Sequence, residues 1–474
     1  FEEFLQRISH MDNMNLSNLA WSFATLGIPA ETFLESIAAA SLAIISDAGP
    51  QELANTAWSF AALALPHEPL LPSIASASIP RIRDFVNQNL SNTAWAFATR
   101  AFLHQPLLTS ISAASINLLR HFDAQGLANT AWAFAALKVE DRPLLDAISA
   151  SAIPLISVLS THLAGDDEAH ALAFSILALA WAFAFQPPFD PGLRVALWEC
   201  LMGLAGRADQ SCARHHMRSA GGAMLPSSVS MAARRPEGVE EPELLICCRG
   251  MLVICKPPGW EVDSVANETD AICLSSFLQE RFDGREFPLL HASAFGHGFI
   301  HRLDVASSGL VLVGSTFEGC FSLQWQKNLY EIAREYQVVS YDLEGFVLQD
   351  VDAKVNVSGT KASRTLTEGN GQPAVSHFLT EAHLMGGPAT DFRYTIIVIR
   401  IYTGRRHQIR AHTRSIGHPT ACDGWYAPSS VVVAGQGRSS GPPPLRAWVR
   451  TPRWDGALSA PPVELEGCVY EKKK

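Results

Sequence analysis

A 37-residue self-similarity constrains what the first 186 residues can fold into more than any other feature of the chain. Four segments align without gaps: LSNLAWSFATL from Leu16, LANTAWSFAAL from Leu53, LSNTAWAFATR from Leu90 and LANTAWAFAAL from Leu127. Trp21, Trp58, Trp95 and Trp132 keep the interval, as do Asn18, Asn55, Asn92 and Asn129. Leu42, Ile79, Ile116 and Ile153 carry it into the second half of each unit. A degraded fifth copy, ALAWAFAF, ends near Phe185 after an insertion around Gly165–His170. Each unit predicts two short helices. Leu53, Ala57, Phe60 and Ala61 fall on one helical face, Pro66 breaks the chain, and a second apolar stretch runs from Leu70 to Ile79. Such a pair cannot bury its apolar face alone, so stacked pairs share one elongated core, an α-solenoid.

The periodic side chains have two readings. Tryptophans can stack on bases and asparagines can read base edges, one set per repeat. Against this, a tryptophan at a fixed place on an alanine-rich helix is usually a packing residue, and a repeated asparagine often satisfies turn backbone as a ladder. Charge also weighs against RNA here. Residues 1–186 hold 7 Lys and Arg against 16 Asp and Glu, a net of −9, and phosphate binding needs cations. An acidic solenoid is equally suited to a protein partner. To hold RNA through phosphates it must gather Arg81, Arg83, Arg100 and Arg120 on one strip.

The 474 residues are 48% apolar and 17% charged, which predicts a folded, multidomain chain. The nine cysteines begin at Cys200 and include no C-x-x-C pair, which excludes a disulfide framework and a zinc ribbon and fits a reducing compartment. A net charge of −10 argues against an evenly basic nucleic-acid surface. The longest charge-free apolar run, Ala171 to Phe185, has 15 residues, short of the ~20 of a membrane span. A buried helix and no membrane association are expected. The sequence starts at Phe1, and no targeting peptide is read from it.

The repeats resemble the octotricopeptide and FAST-kinase-like helical-repeat proteins of organelles. The resemblance implies RNA binding and a mitochondrial or chloroplast location; without it the location is cytoplasmic or nuclear. After residue 186, Asp190 to Ala205 predicts one helix that closes the repeat core. From Gly206 the chain reads as a linker, and 187–242 is taken as capping helix plus flexible basic linker. Arg207, Arg214, Arg218, Arg234 and Arg235 make it a basic arm. Cys212, His215 and His216 lack the fourth ligand of a zinc site.

From about Leu244 the pattern changes to short β-type runs: LLICC, MLVICKPPGW, GLVLVGS, EYQVVSYDL and RYTIIVIRIY. Among them stand His301-Arg302-Leu303-Asp304-Val305-Ala306-Ser307-Ser308-Gly309, then Arg334-Glu335-Tyr336, then Thr403-Gly404-Arg405-Arg406-His407-Gln408-Ile409-Arg410-Ala411-His412. The last continues into Ile416-Gly417-His418-Pro419 and Asp423-Gly424-Trp425-Tyr426. Lys256-Pro257-Pro258-Gly259-Trp260 lies upstream. An aspartate in a glycine-containing turn is a nucleophile, a general base or a cap. The third motif is a cationic patch for an anionic ligand. No Ser/His/Asp elbow, Walker A or dinucleotide glycine loop is present.

In order and spacing these motifs resemble the RluA-type family of RNA pseudouridine synthases, over about 243–468. The resemblance implies an α+β synthase fold with a mixed or antiparallel sheet, and isomerisation of uridine with no cofactor and no metal. It implies that Asp304 is the catalytic aspartate. Attack on ribose C1′, addition at base C6 and proton abstraction to a glycal all remain open. Arg302 would fill the gap left by the flipped uridine, Tyr336 would pack on the target base, and Arg410 would pair with Asp304. His301, Arg405, Arg406, His407, Gln408 and His412 would contact RNA. The departures are Ser307 for a common Thr, Arg406 for Thr, Cys422 for Gly and Arg446 for His; Cys422 puts the loop beside the site in question. The expected partner is rRNA, tRNA or mRNA, with a protein partner on the acidic repeats open and a monomer expected. The alternative is a non-catalytic RNA- or protein-binding scaffold with a relic synthase domain.

Overall fold

In the amino-terminal region the first helix of each unit starts where a cap or a proline allows it. Asp12 accepts from the Asn15 N–H at 2.8 Å and Asp123 from the Gly126 N–H at 2.7 Å, while Pro50 opens its helix after Gly49. The helices are Asn13–Thr25 (α1), Glu31–Ile44 (α2), Pro50–Ala62 (α3), Leu70–Ser78 (α4), Asn87–Thr99 (α5), Gln105–Leu118 (α6), Ala124–Ala136 (α7) and Arg142–His162 (α8). Asp166–Phe185 (α9) and Pro191–Ser219 (α10) follow. Helices α1, α3, α5 and α7 begin at 37-residue intervals. Each packs on the next, α7 continues onto α9, and α2, α4, α6 and α8 pack in the same succession. Leu53, Ala57, Phe60 and Ala61 are all buried, as the one-face pattern requires.

The computed structural model describes residues 7–8, 10–65, 67, 69–162, 165–186, 188–219, 240–248, 250–263, 272–341, 348–356, 366–367, 374–385, 393–401, 403–421, 423 and 446–449. The chain forms two compact units, 1–99 with 103–332, and 100–102 with 333–474. This division differs from the expected boundaries at 186/187 and 242/243. The expected linker is helix as far as Ser219, because α10 runs through Gly206. Arg207, Arg214 and Arg218 therefore lie on a helix, whereas Arg234 and Arg235 fall outside the described residues.

The reason for the difference is packing. In the first unit, Glu243–Cys248 (β1), Met251–Lys256 (β2) and Gly309–Gly314 (β3) form an antiparallel sheet in the order β1-β2-β3. Leu274–Arg281 (α11) and Phe317–Asn328 (α12) accompany it. Helix α12 lies against α9 and α10. Trp198 meets Trp325 at 5.4 Å between ring centroids, His170 stacks on Phe317 at 5.5 Å, and Arg194 pairs with Glu331 at 2.9 Å. Asp209, from the stretch expected to be linker, accepts from the Phe317 and Glu318 N–H groups at 2.8 and 3.1 Å. It completes the cap that Thr316 begins on Gly319 at 3.1 Å. Helices α8 and α9 are long and apolar enough, by length and composition, to cross a membrane; α8 packs on α7 and α10, and α9 on α7, α10 and α12.

In the second unit, Arg334–Tyr341 (β4), Leu348–Asp352 (β5), Val375–Met385 (β8), Arg393–Ile401 (β9) and Arg446–Val449 (β10) form an antiparallel sheet. Its order is β10-β8-β9-β4, with β5 also on β8. Val355–Asn356 (β6) pairs with Leu366–Thr367 (β7), and Gln408–Ser415 (α13) is the one helix among the unit's described residues. Phe378, Ile397 and Ile399 are fully buried, with Val351 and Ile401 beside them; Tyr336, Val338, Ile409 and Ile416 pack on this cluster. Strand alternation and the apolar face of α13 thus meet in one core.

Candidate functional site

The Asp304 turn is built by the two strands that flank it. Lys256 ends β2 and pairs in register with Gly309, which opens β3. Gly309 has φ +136°, a conformation that side-chain-bearing residues rarely adopt, so the chain can leave the turn directly into the strand. The Lys256 side chain is fully buried. Its ammonium donates to the carbonyls of Pro257 at 3.1 Å, Trp260 at 2.8 Å and Val305 at 3.2 Å. The Gly259 N–H also donates to the Val305 carbonyl, at 2.8 Å. The Lys-Pro-Pro-Gly-Trp segment thus clamps the residue after Asp304, and a Ser307 N–H to Asp304 carbonyl bond of 3.0 Å closes the turn. Burial pushes Lys256 down to about 8, and the nearby Asp304 carboxylate opposes that shift. The sequence signal of Lys256 is a charged residue at the end of an apolar strand, a position that demands partners.

Asp304 is half-buried and Arg302 exposed. The Arg302 guanidinium lies 4.0 Å from the Glu261 carboxylate. His301 accepts from the Leu312 N–H at 3.2 Å through Nε2, which ties the motif to β3. An accepting Nε2 places the ring proton on Nδ1 when the imidazole is neutral.

The second unit carries the other expected residues. Tyr336 stands on β4 opposite Ile399 and packs, partly buried, on the core cluster. The segment from Thr403 to Gln408 folds around the Gln408 side chain. Gln408 Oε1 accepts from Thr403 Oγ1 at 2.9 Å and the Arg405 N–H at 3.1 Å, and Nε2 donates to the Val375 carbonyl and Ser376 Oγ, both at 3.0 Å. His412 continues the network, with Nδ1 at 3.0 Å from Ser376 Oγ and Nε2 donating to the Ala353 carbonyl at 2.9 Å. Burial pushes its imidazole below the usual value, while the Ala353 carbonyl and Asp352 pull the other way. Gln408 and His412 are buried, and both hold the loop from inside.

Arg405, Arg406 and His407 are half-exposed on that loop, and His407, at the head of α13, has φ 51°. Arg410 makes a two-pronged pair with Asp423, Nε to Oδ2 at 2.6 Å and a terminal nitrogen to Oδ1 at 2.7 Å. Thr420 Oγ1 also donates to Asp423, at 2.8 Å. The partner expected for Arg410, Asp304, belongs to the first unit. The Ile-Gly-His-Pro segment is clipped to β4: the Tyr341 N–H donates to the Pro419 carbonyl at 3.2 Å and the Ala421 N–H to the Val339 carbonyl at 2.8 Å. Cys422, Trp425 and Tyr426 lie outside the described residues. Arg446 pairs through its backbone with Met385. Among the described residues, no group of three or more His, Cys, Asp or Glu side chains is gathered as for a metal ion.

Comparison with known proteins agrees with the motifs. Residues 250–415 match the model of the RNA pseudouridylate synthase family, and residues 7–142 match that of the RNA-editing substrate-binding complex 6 protein. Ribosomal large subunit pseudouridine synthase D of Vibrio vulnificus is 29% identical over 185 residues, 39% of this chain and 52% of the relative. The enzyme of that name from Nitrosomonas europaea is 33% identical over 182 residues, 38% of this chain and 48% of the relative. Among solved structures, human RNA pseudouridylate synthase domain containing 1 aligns with 41% of this chain and 74% of its own, at 22% identity and a TM-score of 0.33. The chain spans about half the length of the curated relatives it matches. Residues 250–415, which hold Lys256, Arg302, Asp304, Tyr336 and Arg410, are thus a region similar to RNA pseudouridylate synthases.

Proposed function

We propose that the chain is an RNA pseudouridine synthase whose catalytic carboxylate is Asp304. The observation that carries this reading is the clamped turn: a half-buried aspartate held between two strands by Lys256, inside the segment similar to pseudouridylate synthases. Isomerisation breaks the N1–C1′ bond of uridine and forms a C5–C1′ bond; the C5 hydrogen is lost and N1 gains one. Asp304 acts as nucleophile or base in that exchange. Arg302, exposed and planar, takes the place of the flipped base in the stack. Tyr336 packs on the target base. Arg410, oriented by Asp423, is a cation of the site in this reading. Arg405, Arg406 and His407 meet RNA phosphates, and His301 supports the turn from β3.

In this reading 243–468 is the catalytic domain and 1–186 an α-solenoid of 37-residue repeats that binds RNA or a protein partner; the protein acts as a monomer. Helix starts at 37-residue intervals support the repeat reading. The test is a pair of variants on a uridine-containing transcript. Asp304→Asn is expected to bind and not turn over; Arg302→Ala is expected to lose productive binding. A scaffold with a relic domain would bind in both cases and turn over in neither, wild type included.

A further inference from the structure

The Asp304 turn is fastened on both sides. Lys256 holds the Val305 carbonyl just after the aspartate. A second lysine, Lys327, holds the Ile300 carbonyl ahead of it, its ammonium donating at 3.0 Å. Ile300 is buried, and its own N–H donates to the Leu312 carbonyl of β3 at 3.1 Å. Phe299, one residue earlier, bridges to Val313 of the same strand. From His301 to Asp304 the backbone is neither helix nor strand. The motif therefore spans two backbone points, each bonded to a lysine ammonium. A lysine has a flexible four-carbon stem, so it fixes a carbonyl only as well as its own helix or strand is fixed.

Lys327 lies in the last turn of α12, and that helix is held at both ends. Its amino end presses on the sheet: no Cβ fits on Gly319 against the Gly250 carbonyl, or on Gly314 at the end of β3 against Cys320. Its carboxyl end is held by the amino-terminal helices. Asn328, the neighbour of Lys327, donates through Nδ2 to the Leu177 carbonyl of α9 at 3.0 Å. Trp325, buried, rests on Trp198 of α10. Just past the helix, Glu331 pairs with Arg194 of α10. All of these residues belong to the first unit.

We propose that Lys327 is a positioning residue for the Asp304 turn, and that α9 and α10 set its place through Asn328 and Trp325. The amino-terminal helices are then part of the catalytic scaffold, whatever else they hold. The proposal rests on the reading of Asp304 as the catalytic carboxylate. A reacting group must be held within ~0.5 Å of its productive place by residues that are themselves locked. One clamp, at Val305, leaves the chain before it free to swing about that point. A second clamp at Ile300 removes the swing, and a charge-assisted bond makes it stiff. An apolar side chain at 327 would fill the same space and hold nothing. Loosening α12 from α9 should therefore reach Asp304 without touching any residue assigned to RNA.

The test uses the full chain and the variants Lys327→Met, Lys327→Arg and Asn328→Ala, at a temperature where circular dichroism shows each folded. Two readouts are taken: kcat and KM for pseudouridine formation on a uridine-containing transcript, and hydrogen exchange of the 301–308 amides by mass spectrometry. Lys327→Met is expected to lower kcat about tenfold or more with KM unchanged. It should also speed exchange in 301–308, where the Ser307 N–H is bonded to the Asp304 carbonyl at 3.0 Å. Lys327→Arg keeps a cationic donor and should recover most of both. Asn328→Ala leaves Lys327 in place and spares the fold, because the Leu177 carbonyl lies inside α9 and keeps its intrahelical bond. It should still lower kcat, by less, and speed the same amides. Wild-type kcat and exchange in Lys327→Met, or a loss that Lys327→Arg does not recover, overturns the role of Lys327. Wild-type values in Asn328→Ala overturn the link to α9, and that variant decides alone if Lys327→Met does not fold. A wild-type chain without turnover would fail the synthase reading by itself, while the exchange readout still decides the positioning.

Discussion

Replacing Lys256 with methionine keeps the length of a fully buried side chain and removes its charge and donors. The Val305 carbonyl keeps the Gly259 N–H, whereas the Pro257 and Trp260 carbonyls lose the ammonium bonds at 3.1 and 2.8 Å. An orphaned buried acceptor costs ~1–3 kcal/mol. Relief from burying an ammonium offsets part of this, which leaves a net destabilisation of ~2 kcal/mol. In urea the first unit should melt about 1 M earlier. The turn that carries Asp304 loosens as well, and a displacement of ~1 Å at a reacting group costs roughly 10²-fold in rate. The assay is pseudouridine formation under conditions where the variant remains folded by circular dichroism. Turnover equal to wild type would refute the clamp. The wild-type pH profile checks the same point. The folded value of about 8 lies below the ordinary lysine value, so folding stability relative to the unfolded chain rises as pH climbs past 8. The clamp meanwhile loses one of its three N–H donors, and activity should decline above pH 8.

Asp209→Ala removes the cap that α10 places on α12. It should cost ~1–2 kcal/mol, read as earlier melting of the first unit, while Asp209→Asn should recover much of it. His412, buried and held neutral, has a folded value below the unfolded ~6.5. Its contribution is complete above pH 6.5 and is lost as pH falls through the folded value, so the second unit should weaken in acid. His412→Asn should flatten that dependence in pH-dependent unfolding curves. Asp423→Asn breaks the two-pronged pair on Arg410 and should lower turnover more than it lowers RNA affinity, measured side by side.

The helices of the amino-terminal region were legible because an apolar face imposes its period on the chain: Leu53, Ala57, Phe60 and Ala61 all point inward. The strand runs LLICC, MLVICK, GLVLVG, EYQVVSY and RYTIIVIRI fall on β1, β2, β3, β4 and β9 for the matching reason. Strand β8 escaped notice because His377, Glu381 and His383 dilute its apolar alternation. The helical stretch 206–219 read as linker because its ordering depends on α12, which lies over 100 residues further on. A single helix shows no such partner in its own sequence. In the site, Gln408 and His412 sit in a basic motif, and the partners that hold both inward, Ser376, Val375 and Ala353, stand more than 30 residues upstream, where the motif does not show them. Lys256 was visible as a residue and invisible as a clamp, since its three carbonyls come from turns.

The central claim is that Asp304 drives isomerisation. Forming the C5–C1′ bond displaces the hydrogen at uridine C5, so tritium release from RNA labelled at that position reports the reaction itself. The wild-type chain incubated with labelled cellular RNA should release tritium, and Asp304→Asn should release none while binding the same RNA. Release by the Asp304→Asn chain at the wild-type rate, or no release by a wild-type chain that binds, would contradict the account.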